Sequence, residues 1–191
     1  MISRKIRLQI LTIGFLLLGI SGGPMCIAQK QAPEWNIGIE ADVLPYITGG
    51  YFGALWVGRG KWRSRILTAD VYKPDWSTKK GFSNHHITAY ALVVDRFLYE
   101  GWKGWWVSGG PVLWNGRIAS SEFKTNPTSF TNILVNGSIG HHFFVYKNFY
   151  ISPWAGISLN VAGDKNIKVV DKIYNLPFLN PEMSLKLGIF L

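Results

Sequence analysis

The chain has 191 residues, a formal net charge of +9 and 48% hydrophobic residues. Its single cysteine, Cys26, lies near the N-terminus, so the rest of the chain can form neither a disulfide nor a cysteine metal motif. The basic residues are scattered among turns rather than gathered in one stripe, which argues against a nucleic-acid partner. With no phosphate-binding glycine loop and no paired-carboxylate motif, the sequence predicts no cofactor.

The N-terminal segment has the layout of a cleavable secretory signal peptide. Three basic residues precede an apolar stretch from Leu8 to Ile20, and Ala28 provides a small residue for cleavage. The stretch is shorter than the roughly 20 residues that cross a bilayer, so an anchor helix is the weaker interpretation. Lipidation of Cys26 is another alternative, although Met25 departs from the small residue that such sites place before the cysteine.

The chain therefore divides into a signal peptide, residues 1–28, and a mature domain, residues 29–191, in which alternating patterns predict eight strands. Because successive side chains of a strand point to opposite faces, apolar residues at every second position indicate one face in an apolar medium. The last strand shows this best, since Leu185 and Ile189 alternate with Lys186 and Gly188 up to the C-terminus. The predicted strands cover approximately residues 34–44, 51–57, 63–72, 86–98, 105–114, 130–144, 149–161 and 181–191.

The connections between the predicted strands alternate in length. The longer ones cover residues 45–50, 73–84, 115–129 and 162–180, and short turns separate the other strands. Membrane barrels with an even number of strands have short periplasmic turns and longer outer loops. This order favours a membrane barrel over a barrel in water.

Aromatic residues near the ends of the predicted strands are typical of the girdles that membrane barrels place at the two interfaces. The alternative is that they are ordinary core residues of a β-protein. Near the periplasmic ends lie Trp35, Trp62, Phe97, Tyr99, Trp102, Trp105, Trp106, Phe144, Tyr146, Phe149, Tyr150 and Phe190. Near the outer ends lie Tyr46, Tyr51, Phe52, Tyr72, Trp114 and Phe130.

On these features, the mature chain resembles the small eight-stranded outer-membrane β-barrel proteins of Gram-negative envelopes. The resemblance implies an all-β fold, an eight-stranded antiparallel up-and-down transmembrane β-barrel in the cell outer membrane. It also implies a monomer without cofactor, whose partners are outer-membrane lipids and, through the C-terminal strand, the barrel-insertion machinery. We expect a structural or surface-interaction role rather than a pore, because side chains fill so narrow an interior.

With the apolar face outward, charged side chains would point into the interior of the barrel. We expect Glu40, Asp42, Asp70, Arg96 and Lys186 to lie there and to form a plug of ion pairs. The faces would reverse in the soluble alternative, a periplasmic ligand-binding barrel.

The four histidines occur as two adjacent pairs, His85-His86 and His141-His142. Adjacent strand residues point to opposite faces, so neither pair can chelate a metal without ligands from other strands. The sequence therefore predicts no metal site.

An enzymatic alternative rests on one of these histidines. Some eight-stranded outer-membrane barrels are lipid A deacylases that carry a His-x-Ser pair on a strand, and His86-Ile87-Thr88 is the nearest match, with threonine as the nucleophile. Glu122 is an acid that would orient the imidazole. A lipid-modifying hydrolase with His86, Thr88 and Glu122 is thus the alternative function, and polar wall residues are the simpler interpretation.

The predicted loop from Pro74 to Phe82 mixes two cations with two aromatic residues. This composition suits adhesion or contact with lipid phosphates and sugars, and loops on rigid scaffolds often carry function. The same composition also suits a loop that only solvates the rim.

Overall fold

The computed structural model describes residues 34–123 and 127–191, so the predicted signal peptide lies outside the described residues. Strands account for most of these residues, with one short α-helix and two single-turn 3-10 helices between them. The strands are β1 (Trp35–Asp42), β2 (Tyr51–Arg59), β3 (Trp62–Lys73), β4 (Phe82–Phe97), β5 (Gly104–Ser120), β6 (Thr128–Tyr146), β7 (Phe149–Gly163), β8 (Asn166–Val169), β9 (Lys172–Asn175) and β10 (Leu179–Phe190). The α-helix α1 covers Val43–Ile47, and the 3-10 helices cover Asp75–Ser77 and Glu100–Trp102.

Eight strands form one antiparallel sheet in the order β1-β10-β7-β6-β5-β4-β3-β2. Strand β1 pairs with β2 on one side and with β10 on the other, so the first and last strands of the chain are hydrogen-bonded neighbours. Strands β8 and β9 form a separate hairpin in the connection between β7 and β10. The prediction of an all-β fold with an eight-stranded antiparallel sheet is confirmed.

The connections differ in length at the two ends of the sheet. At one end, two-residue turns join β2 to β3 and β6 to β7, with positive φ at Gly60 and Lys147, as tight hairpins require. At the other end, α1 follows β1, and the Asp42 side chain caps it by accepting a hydrogen bond from the Leu44 amide at 3.3 Å. We call these the short-turn end and the long-connection end. No helix in residues 34–123 and 127–191 is long and apolar enough to cross a membrane.

The two faces of the sheet differ as the alternation predicts in the first and last strands. In β10, Met183 and Ile189 are exposed whereas Lys186 is only 3% exposed. In β1, Ile39 is exposed whereas Glu40 is buried. The predicted orientation, with the apolar side chains exposed and the polar side chains buried, is confirmed for these two strands.

Three apolar clusters lie on the buried side of the sheet. The first belongs to the middle strands β2 to β6 and includes Ala89, Val93 and Leu134. The second, the hairpin cluster, lies at the long-connection end and consists of Phe82, Ile118, Phe130, Ile167, Val169, Tyr174 and Leu176. The third, the aromatic cluster, lies at the short-turn end and consists of Trp56, Phe97, Trp102, Trp106 and Tyr150.

The aromatic residues predicted at the strand ends divide between the two faces. Trp35, Trp62, Tyr99, Trp105, Phe144, Tyr146, Tyr46, Tyr51 and Tyr72 are exposed. Phe97, Trp102, Trp106, Tyr150, Phe52, Trp114 and Phe130 are buried, so the assignment of these seven rings to outward girdles is wrong. Phe149 and Phe190 are partly buried, and Phe190 packs against the buried aromatic cluster. The position of a residue along a strand determines how close its ring lies to the end of the sheet, but the alternation of side chains determines which face the ring is on.

Candidate functional site

Four ionised side chains form a buried network near the aromatic cluster. Arg63 and Arg65 are two residues apart on β3 and share its buried face, where they meet Glu40 of β1 and Asp95 of β4. Arg63 lies 2.7 Å from the Glu40 carboxylate and 2.6 Å from the Asp95 carboxylate. Arg65 lies 2.9 Å from Glu40 and 2.7 Å from Asp95. All four side chains are at most 2% exposed, so each guanidinium joins both carboxylates away from solvent.

Neighbouring polar and aromatic groups complete this network. The Tyr150 hydroxyl donates a hydrogen bond of 2.7 Å to Glu40 and accepts one of 3.1 Å from Arg63. The guanidinium of Arg63 lies 5.4 Å from the centroid of the Trp56 ring, which gives a cation–π contact. Tyr150 belongs to β7, which is not a sheet neighbour of β1 or β3, so these contacts join strands that are not adjacent in the sheet.

A buried lysine lies beside the network. The Lys186 ammonium is 4.0 Å from the centroid of the Trp154 ring and 5.1 Å from that of Trp106. Asp42, on β1, accepts a hydrogen bond of 2.8 Å from the Trp154 indole and another from the Ser184 hydroxyl. Arg63, Arg65 and Lys186 equal Glu40, Asp42 and Asp95 in number, and Glu182 is a further carboxylate near Lys186 and Asp42.

The structure corrects the predicted set of interior charges. Glu40, Asp42 and Lys186 are buried as predicted, but the prediction was wrong for Asp70 and Arg96, which lie on the opposite face of their strands. Arg96 is exposed, and its guanidinium lies 5.1 Å from the centroid of the Trp62 ring. Sequence reasoning missed Arg63, Arg65 and Asp95, although the two-residue spacing of the arginines was a detectable signal.

His86 and Thr88, the candidate catalytic pair, lie on one face of β4, where both contact Asp70 of β3. The Thr88 hydroxyl donates a hydrogen bond of 3.0 Å to an Asp70 carboxylate oxygen, and His86 Nε2 contacts the same oxygen. Tyr72 stacks on the His86 imidazole with ring centroids 4.3 Å apart. A catalytic nucleophile must contact its base, but no hydrogen bond joins Thr88 to His86 in the described part of the chain. The Asp70 carboxylate binds both groups instead.

Glu122, the predicted acid of this group, lies elsewhere. Its carboxylate accepts a hydrogen bond of 2.7 Å from the Lys172 ammonium at the start of β9. This hydrogen bond raises the pKa of Lys172. Within the same hairpin, burial raises the pKa of Tyr174, which belongs to the hairpin cluster. The structure therefore does not bring Glu122 to His86 and Thr88.

Two of the other histidines, His85 and His142, are buried against aromatic rings, and His142 Nε2 lies 3.9 Å from the Glu40 carboxylate. His85 is 2% exposed beside the rings of Phe130 and Tyr174. His142 is buried, with Nδ1 3.2 Å from the Trp102 carbonyl oxygen and its ring stacked on Tyr150. Among residues 34–123 and 127–191, no three His, Cys, Asp or Glu side chains are grouped as metal ligands.

No protein-family model, curated protein or solved structure matches this chain.

Proposed function

We propose that this protein is an integral outer-membrane β-barrel with a structural or surface-interaction role, and that it is not a pore. In this proposal the eight-stranded sheet is closed, its exposed apolar face contacts lipid acyl chains, and its buried face forms a sealed interior. The observation that carries the proposal is the combination of an exposed apolar face with a fully buried set of ion pairs. A water-soluble barrel has the opposite distribution.

A continuous row of exposed aliphatic side chains supports the membrane contact. Ile189, Ile39, Leu55, Ile66 and Leu92 are directly opposite one another on five neighbouring strands, from β10 through β1, β2 and β3 to β4. Every member is exposed, Leu92 by 56%. Water-soluble monomers rarely expose apolar patches larger than a few hundred Å². Contact of this row with hydrocarbon would avoid the unfavourable free energy of exposing apolar side chains to water.

The buried network supports a sealed interior. Contacts from Glu40 and Arg63 to Tyr150 cross the enclosed space, and their side chains fill it between non-neighbouring strands. The aromatic cluster lies at the short-turn end and the hairpin cluster at the long-connection end. Eight strands enclose only enough space for side chains, so the packing leaves no aqueous channel in this proposal.

The remaining parts of the proposal follow from this architecture. Since no hydrogen bond joins His86 to Thr88 in the described residues, the rim and the lipid-facing surface of a sealed barrel are the regions available for function, and its partners are outer-membrane lipids and surface ligands. The terminal strand β10, apolar on its exposed face, would be the segment that the barrel-insertion machinery recognises. The chain would act as a monomer without a cofactor.

The substitution Leu92→Arg tests the membrane contact. In lipid vesicles it should lower the free energy of unfolding by about 2–4 kcal/mol, because a charge in the middle of the lipid face must leave water. The matched control is Ile173→Arg, also at an exposed aliphatic position but in the separate hairpin, which should change stability by less than about 0.5 kcal/mol. Urea titration followed by tryptophan fluorescence measures both values.

Equal, small effects of the two substitutions would contradict the proposal. So would release of the wild-type protein from membranes by a carbonate wash. Electrophoresis in detergent gives a further test, because a closed membrane barrel should migrate differently before and after boiling.

A further inference from the structure

A polar pocket of about 430 Å³ opens at the long-connection end of the sheet. It lies where the end of β3, the connection through residues 74–81 and the start of β4 meet, and Ala119 of β5 contributes to its wall. Its polar lining comes from Lys73, Asp75, Ser83, Asn84 and His85. Small-molecule sites commonly have volumes of about 300–1,000 Å³, so the pocket is large enough for a ligand of modest size.

The only cation among these lining side chains is Lys73, whose ammonium lies 5.8 Å from the centroid of the Trp114 ring. Within residues 34–123 and 127–191 the ammonium makes no hydrogen bond or ion pair. Glu182, on the same buried face, accepts a hydrogen bond of 2.7 Å from Ser158 instead. The Trp114 ring and the Glu182 carboxylate attract this partly buried ammonium, but neither accepts a hydrogen bond from it, so an anionic ligand would supply the acceptor that it lacks.

Another part of the pocket lining is ordered by a hydrogen bond within the connection between β3 and β4. The Asp75 carboxylate accepts a hydrogen bond of 3.1 Å from the Asn84 backbone amide. Asn84 has φ of +50°, in the left-handed region that asparagine tolerates better than most residues. The Asp75 carboxylate is therefore held in place in the pocket lining by the backbone of Asn84, whose own side chain also lines the pocket. Groups of this kind bind hydroxyl groups.

One further buried group borders the pocket. His85 is 2% exposed, and its Nε2 atom has no hydrogen-bond partner within the described ranges. Burial of an unpartnered polar atom costs free energy. The unpartnered Nε2 atom of His85 therefore indicates a binding site better than a surface that is packed only for stability.

We propose that this pocket binds a phosphorylated sugar, with the phosphate at the Lys73 ammonium and sugar hydroxyls at Asp75 and Asn84. The Asp75 carboxylate would repel a bare phosphate and would have no group to bind. A sugar phosphate would place its phosphate at the Lys73 ammonium and would donate hydrogen bonds from its hydroxyl groups to Asp75. The same chemistry occurs in free sugar phosphates and in the phosphorylated sugar headgroup of lipid A. The proposal does not depend on membrane placement, because a soluble ligand can be tested on the protein in detergent.

Isothermal titration calorimetry of the full chain, folded in detergent, provides the first test. Glucose 1-phosphate should bind, and Lys73→Met should weaken this binding by about tenfold or more, since the substitution removes a charged hydrogen-bond donor but keeps an apolar stem. Lys79→Met is the matched control, because Lys79 is an exposed lysine of the same connection that does not line the pocket. It should bind glucose 1-phosphate like the wild type. Circular dichroism establishes that both variants are folded.

A second variant tests the sugar contact separately. Asp75→Asn should weaken binding of glucose 1-phosphate but leave or improve binding of inorganic phosphate, because it removes a negative charge and a strong acceptor. An equal loss for both probes would overturn the assignment of the hydroxyl groups to Asp75. Equal affinity of wild-type protein and Lys73→Met, or no binding of glucose 1-phosphate at millimolar concentration, would overturn the site itself.

Competition identifies the source of the ligand. If lipid A in phosphatidylcholine vesicles displaces glucose 1-phosphate from the wild-type protein, the pocket accepts the lipid headgroup. If pure phosphatidylcholine vesicles displace it equally, the binding is not specific for phosphorylated sugars and the proposal is wrong. Binding of glucose 1-phosphate without displacement by either vesicle supports a free sugar phosphate as the ligand.

Discussion

The substitution Arg63→Met tests the buried ion network most directly. Arg63 makes two of the four ion pairs, at 2.7 and 2.6 Å, and donates to the Tyr150 hydroxyl. Without it, Glu40 and Asp95 share the single guanidinium of Arg65, so one buried negative charge loses its counterion. Breaking a buried ion pair in this way typically costs about 3–5 kcal/mol, and we expect a loss of stability in that range.

A double-mutant cycle separates charge compensation from simple loss of packing. Glu40→Gln alone leaves an unmatched positive charge and should also destabilise the protein. The double variant, Arg63→Met with Glu40→Gln, keeps the neutral pair of Arg65 and Asp95. It should therefore be more stable than the sum of the single effects predicts, by at least about 1.5 kcal/mol. Urea unfolding in lipid vesicles, followed by tryptophan fluorescence, measures all four proteins under one condition.

The exposed pair of Lys172 and Glu122 is the control for this cycle, since Glu122→Gln should change stability by no more than the error of the measurement. Additive effects of Arg63→Met and Glu40→Gln would refute the reasoning, because they would show that the two charges do not compensate each other. A single-variant loss below about 1 kcal/mol would refute it as well, since it would place the network in contact with water.

Two further predictions concern packing and catalysis. Gly188→Ala should lower the free energy of unfolding by about 1–3 kcal/mol, because a Cβ there would overlap the Tyr150 ring. Gly53→Ala is the control and should leave this free energy unchanged, because no atom lies within 4 Å of the position of its Cβ. Urea titration measures both values, and a larger loss for Gly53→Ala would contradict this packing. His86→Ala should leave the acyl chains of lipid A unchanged by mass spectrometry, because Asp70 rather than His86 receives the Thr88 hydrogen bond, and an altered acyl pattern would instead favour the hydrolase.

The sequence predicts the faces of β1 and β10 well because each has one apolar and one polar face. In β4 the buried face carries Ala89 and Val93, whereas the exposed face carries Leu92 and Val94, so both faces are apolar. A shift of one residue exchanges the faces of a strand, and two apolar faces give no signal that fixes them. This explains why interior charges were predicted correctly on the terminal strands but wrongly on β3 and β4.

The hairpin of β8 and β9 could not be predicted with the same method. Ile167 and Val169 alternate with polar neighbours, but four residues are too few for a period to be distinguished from chance. What makes these residues a strand pair is burial against Phe82, Ile118 and Phe130, which come from three other strands. A local sequence pattern does not contain such tertiary contacts, and it therefore predicts a loop for this segment.

The candidate catalytic group shows the same limit. The two-residue spacing of His86 and Thr88 predicts a shared face, which the structure confirms. The acid beside them depends on cross-strand register, which pairs Asp70 with Thr88 and Tyr72 with His86. No pattern within β4 specifies this register, so the sequence offered no reason to choose Asp70 over Glu122.

The contacts of Glu40 also have a consequence for assembly. Its partners are separated from it by 23, 25 and 110 positions along the chain, in Arg63, Arg65 and Tyr150. A nascent hairpin holding β1 and β2 alone would present a bare carboxylate, and only the arrival of β3 and β7 neutralises and hydrogen-bonds it. Intermediates that lack β3 or β7 are thus penalised, so β1, β3 and β7 should come together in one concerted step.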